Sequence, residues 1–205
     1  KRIGINGLKI RLPPFFMSSD IFKHLKNLEK SRFLFYSLSV IILLGVILVK
    51  INKPNVAIVD KKTLELFTYE NEYTHALIEG NDYDSFYTIS DTTITSCIFK
   101  DIDFEKISLN NINIIDSVFE NCNLSNKVFD KKLLRRVTFK NCKLFGSSFI
   151  DTSLQDIEFI NCNLKYLNFA NANLRNIYFN VSDLSNSYFM ETKNKNLSFH
   201  ETKLN

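Results

Sequence analysis

Every fifth residue from Ile89 to Leu204 is Ile, Leu or Phe, with Asn194 the single exception among 24 positions. An α-helix repeats its buried face every 3.6 residues and a simple strand every two, so neither accounts for a period of five. Repetition at a fixed short spacing marks a solenoid, in which each unit buries its apolar side only by stacking on its neighbours. A second order lies inside the first. From Phe119 to Phe199 every tenth residue is Phe, and from Leu124 to Leu184 every tenth is Leu. A five-residue insertion would swap this parity, and none has occurred between Phe119 and Leu204.

The units themselves, such as Asp-Thr-Ser-Leu-Gln at 151–155, Asn-Cys-Asn-Leu-Lys at 161–165 and Asn-Ala-Asn-Leu-Arg at 171–175, resemble the pentapeptide-repeat family. The resemblance implies an all-β solenoid: a right-handed quadrilateral β-helix with four five-residue faces, hence 20 residues per coil. Residues 89–205 are assigned to it, and 96–205 would make about five and a half coils, a rod of roughly 26 Å at the ~4.8 Å spacing of stacked strands. In that frame two opposite faces supply Phe and the other two supply Leu. Cys97, Cys122, Cys142 and Cys162 each sit two positions before a central residue, and the last three stack in successive coils. The same small slot holds Ser147, Thr152 and Ala172 elsewhere. A column of one ligand type lacks the convergence a metal needs, so the thiols read as compact buried hydrophobes, reduced and unreactive.

Lys127 and Lys132 occupy two successive small slots, in a stretch that also holds Lys131, Arg135 and Arg136. Inward lysines would be unpaired charges in a dry core, so either these faces bulge or the side chains curl out. The five residues form a candidate interaction patch for an acidic partner or lipid headgroups; a locally solvated distortion is the plainer alternative. Asn194, between Lys193 and Lys195, is a similar break.

The charge is unevenly placed: residues 1–32 carry eight Lys/Arg against Asp20 and Glu29, whereas the remainder is slightly acidic. In this basic arm Ile21, Phe22, Leu25 and Leu28 share one helical stripe, which suggests a short in-plane amphipathic helix. Its Lys23, Lys26 and Lys30, with Arg32, would meet anionic lipid headgroups. Residues 33–49 then run 17 positions without a charge, about 25 Å as a helix, enough for a single short membrane span. No small-x-small cleavage site follows, so an uncleaved anchor fits better than a signal peptide. The positive-inside rule puts the N-terminus on the cytoplasmic, matrix or stromal side of a bacterial or organellar inner membrane, with the rod opposite. Residues 50–88 lack the period and read as linker and N-terminal cap, with a strand at VAIVD (56–60) and a helix from Lys61 to Glu79.

His24, His75 and His200 lie in three separate segments without partners at ligand or triad spacing, and no glycine-rich loop is present. The chain therefore reads as no enzyme, without cofactor or metal. Its expected role is a membrane-anchored scaffold, an accessory or structural subunit of a membrane protein complex that takes protein partners and no nucleic acid. Two alternatives compete. Some members of the resembled family protect DNA gyrase by imitating duplex DNA, which requires a strongly acidic rod; a membrane-associated secreted effector is the other.

Overall fold

The computed structural model describes residues 2–5, 8–11, 51–58, 60–63, 68–69, 73–80 and 85–204. The expected span 33–49 and the amphipathic stretch before it lie outside these residues. Among the described residues no helix is long and apolar enough to cross a membrane.

The first two strands, β1 (Arg2–Ile5) and β2 (Leu8–Arg11), form an antiparallel pair. From residue 60 onward the described chain winds into an all-β solenoid. Its main ladder is parallel and takes in β3 (Asp60–Lys62), β4 (Ala76–Glu79), β7 (Ile98–Lys100), β9 (Asn113–Glu120), β10 (Leu133–Lys140), β11 (Ser153–Ile160), β12 (Asn173–Asn180) and β13 (Lys193–His200), in that order. Two short strands complete the early coils: β6 (Thr93–Thr95) pairs with the first half of β9, and β5 (Tyr87–Ser90) pairs with β8 (Ile107–Asn110). Leu134 lies opposite Ile114 and Leu154, and Phe139 opposite Phe119 and Phe159, so each coil returns after 20 residues. Parallel stacking with this register is what the five-residue period demands.

The helix expected from Lys61 to Glu79 is corrected at its two ends, which are β3 and β4; between them residues 68 and 69 are helical. Lys61 pairs with Leu77, and Leu77 with Ile98, so the ladder continues upstream through coils of unequal length. Pairing with the next coil satisfies the backbone of these residues and overrides their local pattern. Gly80 ends β4 where a Cβ would stand 1.8 Å from the carbonyl oxygen of Asp101, so only glycine allows this approach.

Corners fall two residues after each central position. From Asp91 to Glu201 the corner residues recur every five positions in the left-handed conformation, Lys106 excepted. Most are Asn or Asp, the L-residues that adopt this region most readily because their short polar side chains bond locally. The abundance of Asn is thus a backbone requirement and no mere compositional bias. Val181 (φ 50°) is the β-branched exception.

Inside, the alternation of Phe and Leu becomes four columns. The Phe rings of one face stack from Phe99 to Phe199 at centroid distances of 4.9–5.2 Å, and those of the opposite face from Phe129 to Phe189 at 4.9–5.3 Å. Leu124, Leu144 and Leu164 line a third face and Leu134, Leu154 and Leu174 the fourth, all fully buried. The four faces are named below by the central residues of one coil: Leu134, Phe139, Leu144 and Phe149. Small hydroxyls between these columns reach back to the previous coil. Ser147 Oγ donates to the Leu124 carbonyl at 2.7 Å, and Thr152 Oγ1 to that of Phe129 at 2.6 Å. Cys122, Cys142 and Cys162 occupy the equivalent slot on the Leu144 face, free and buried, each thiol 3.3–3.4 Å from the carbonyl oxygen of Phe99, Phe119 or Phe139. Such bonds are the condition for placing polar groups in a dry core. Burial also pushes the Cys97 thiol up to about 11.

Candidate interaction surfaces

The corner between the Leu134 and Phe139 faces carries the column Asp116, Arg136, Asp156, Asn176 and Asn196. Arg136 makes a two-point bond to the Asp116 carboxylate, at 2.5 Å for both nitrogens. Asn176 Nδ2 donates to Asp156 Oδ1 at 2.7 Å, and Asn196 Nδ2 to Asn176 Oδ1 at 2.8 Å.

Residues 51–58 lie along this corner as an extended strap. Asn52 Nδ2 donates to Asp156 Oδ2 at 3.1 Å, and Lys53 Nζ pairs with Glu158. The backbone N–H of Asn55 donates to Asp116 Oδ1 at 3.0 Å, while its carbonyl accepts from Ser96 Oγ at 3.1 Å. Asp116 and Asp156 stand two coils apart, roughly 10 Å, which three extended residues span. The strap therefore runs antiparallel to the coil order, from the level of β11 back to the first rung, β3.

Outward carboxylates on a β-helix are expected to be solvated. Three are not. Asp156 is 1% exposed, Glu158 4% and Asp116 8%, because the strap covers them. The Arg136 guanidinium holds Asp116 below the usual carboxylate range. At Asp156 burial opposes ionisation, but hydrogen bonds from Asn176, Asn52 and Gln155 outweigh it, so its pKa also falls.

The five basic residues singled out in sequence do not share one surface. Lys127 Nζ turns back to the carbonyl oxygens of Ile107 (3.0 Å) and Glu105 (3.4 Å), and burial lowers its pKa. Lys132 Nζ reaches Asn111 Oδ1 at 2.7 Å. Both lysines thus leave the core along the rod axis instead of bulging the face. Lys131 sits exposed at a corner, Arg135 points out from the Leu134 face, and Arg136 is held by Asp116. Lys23, Lys26, Lys30 and Arg32 lie outside the described residues.

Sequence reasoning passed over two other surfaces. Phe145 and Tyr166 meet edge-on at 5.2 Å near the corner between the Leu144 and Phe149 faces. With Val128, Tyr188 and Met190 they are exposed apolar side chains on this side of the rod. The second surface is the Leu134 face. Register places Arg135, Gln155, Arg175 and Lys195 in one outward column, with Lys193 beside it. Among the described residues no group of three or more His, Cys, Asp or Glu is arranged to hold a metal ion.

Comparison with known proteins gives the following. A family model described as a pentapeptide repeat region matches residues 112–189 and 132–205. Curated protein sequences give no match. Among solved structures, a pentapeptide repeat protein of the Arabidopsis thaliana thylakoid lumen is 26% identical, with a TM-score of 0.37 over 39% of this chain and 56% of that one. QnrB1, a plasmid-mediated fluoroquinolone resistance protein, is 16% identical, with a TM-score of 0.34 over 73% of this chain and 89% of that one. HetL, involved in heterocyst differentiation regulation in the cyanobacterium Nostoc sp. strain PCC 7120, is 13% identical, with a TM-score of 0.28 over 72% and 90%. With 20-residue coils, stacked central Phe and Leu and the family match, residues 112–205 are a pentapeptide repeat region.

Proposed function

We propose that this chain is a non-catalytic interaction protein, a rigid rod held at a membrane by residues 33–49 and serving as an accessory or structural subunit of a membrane protein complex. The observation that carries this reading is the set of exposed apolar side chains Val128, Phe145, Tyr166, Tyr188 and Met190 over a fully buried core of stacked Phe and Leu. Phe145 and Tyr166 touch, and exposed apolar and aromatic side chains on one side of an otherwise polar rod suit a protein partner. A DNA-mimic role fits less well, since the buried carboxylates are already matched by Arg136 and by the strap. Extraction of the full chain from its native membrane in mild detergent tests the proposal. The rod should migrate with a larger assembly, and Tyr166→Ser with Tyr188→Ser should free it without lowering its Tm. Migration of the wild-type chain alone would overturn the reading.

Charge bias favours a span with the N-terminus on the cytoplasmic, matrix or stromal side and the rod opposite. One observation favours a second reading: β2 lies beside β13, which puts the N-terminal hairpin and the end of the rod on one side. Segment 33–49 would then dip into the bilayer and return. Protease added outside spheroplasts separates the two. Cleavage within 51–88 with residues 1–11 protected supports the span, and cleavage of both supports the dip.

A further inference from the structure

We propose that the Leu134 face is a docking surface for an anionic lipid bilayer, on which the rod lies side-on. The inference rests on the reading that residues 33–49 enter a membrane, and it names the surface that meets the headgroups.

Two independent observations converge. The outward positions of this face, from Asn113 and Ile115 through Leu133, Arg135, Ser153, Gln155, Asn173 and Arg175 to Lys193 and Lys195, include four cations and no carboxylate. Arg175, Lys193 and Lys195 are exposed, and none of the four cations forms a salt bridge among the described residues. Arg135 is half-buried, and its Nε finds no acceptor among the described residues. The carboxylates lie on other faces or at corners: Asp103, Asp183 and Glu105 on the Leu144 face, Asp130 on the Phe149 face, Glu120 on the Phe139 face, Asp116, Asp156 and Glu158 under the strap, and Asp91, Asp151 and Glu191 at the corner that borders this face on the Phe149 side. On a domain that is slightly acidic as a whole, this makes one flat side cationic.

The second observation is the strap. Asn52 is bonded to Asp156 at the edge of this same face, at the level of β11. Asn52 follows the apolar segment by three residues, so the chain emerges from the bilayer within about 10 Å of that corner. An anchor leaving from the side of the rod, not from its end, holds a long face parallel to the surface. Charge selects which face. Clustered Lys and Arg beside a membrane anchor attract anionic headgroups, and salt screens the attraction.

The test uses the full chain in vesicles of phosphatidylcholine, with and without phosphatidylglycerol. A fluorophore is placed on the Leu134 face through Asn173→Cys, or on the opposite face through Lys143→Cys, with a nitroxide quencher on the lipid headgroups. Quenching of the Asn173 label should be strong with phosphatidylglycerol and weak without it, and should be lost in 0.5 M salt. The Lys143 label should stay bright throughout. Arg175→Glu combined with Lys195→Glu should abolish the quenching while the chain still floats with the vesicles. Flotation without preferential quenching of the Asn173 label overturns this proposal and leaves the membrane reading intact. Failure to float overturns both. If added duplex DNA shifts the Asn173 label in neutral vesicles and phosphatidylglycerol has no effect, the face binds nucleic acid and the proposal falls.

Discussion

Asp156 and Asn161 are neighbouring corners with the same backbone, φ 56° and 52°, yet they do opposite things. At the Asn161 corner an amide ladder climbs the rod in the open, Asn161 to Asn141 at 2.9 Å, Asn141 to Asn121 at 3.0 Å and Asn121 to Asp101 at 2.7 Å. At the Asp156 corner the strap buries the carboxylates and ties the N-terminal segment to the middle of the rod. The repeat therefore dictates the path of the chain, while individuality resides in outward side chains and in the segment that does not repeat.

The comparison can be broken most severely from within. Leu164→Lys puts an unpaired charge into the stacked core and should cost several kcal/mol, unfolding both corners together. Lys165→Glu, one residue along and outward, replaces the solvated Lys165–Asp183 pair by a like-charge contact and should still cost only about 1 kcal/mol. Equal thermal melts for the two variants would refute the register.

A glycine exchange at each corner isolates the strap, because glycine keeps the left-handed backbone unstrained. Asp156→Gly orphans the Asn52 and Asn176 amides and should cost about 1–3 kcal/mol. Asn161→Gly, at the solvated corner, should cost under about 1 kcal/mol. Hydrogen exchange at residues 52–57 should accelerate in the first variant and stay unchanged in the second.

Acid offers a reversible version. Asp116 and Asp156 have folded pKa values below their ordinary 3.8, so their contribution is fully present above that value and is lost as pH falls through the folded ones. Strap exchange should rise below about pH 4, whereas the amide ladder at Asn141 and Asn161 has nothing to titrate. A strap that loosens between pH 5 and 7 would contradict the assignment.

The smallest effect is a gain. Val181 interrupts the amide ladder above Asn161 and holds a β-branched residue at φ 50°. Val181→Asn should extend the ladder and stabilise the rod by about 1 kcal/mol, read as a higher Tm. A lower Tm would mean that the ladder contributes nothing.

The rod was legible because inward positions repeat: Phe139 and Phe159 occupy identical surroundings, and the period exposes them. The cysteine column followed from the same register, which left open whether Lys127 and Lys132 curl out or bulge their faces. The strap was not legible. Asn52, Lys53 and Asn55 carry no period, and their partners Asp156, Glu158 and Asp116 lie 104, 105 and 61 residues away. The strands at Asp60–Lys62 and Ala76–Glu79 were missed for a related reason, since their coils are of unequal length. The cationic face was hidden by distance along the chain. Arg135 and Arg175 look unrelated until two 20-residue coils are wound between them, whereas Lys127 to Arg136, adjacent in sequence, are dispersed around the coil.

The strap also sets a timetable. A solenoid whose coils touch only their neighbours can settle coil by coil as it leaves the ribosome. Asn52, however, is synthesised 104 residues before Asp156, a delay of roughly 5–20 s at ordinary elongation rates. Throughout that interval the early coils exist without their clasp. Any factor that meets the nascent chain in that interval acts on coils to which the N-terminal segment has not yet been fastened.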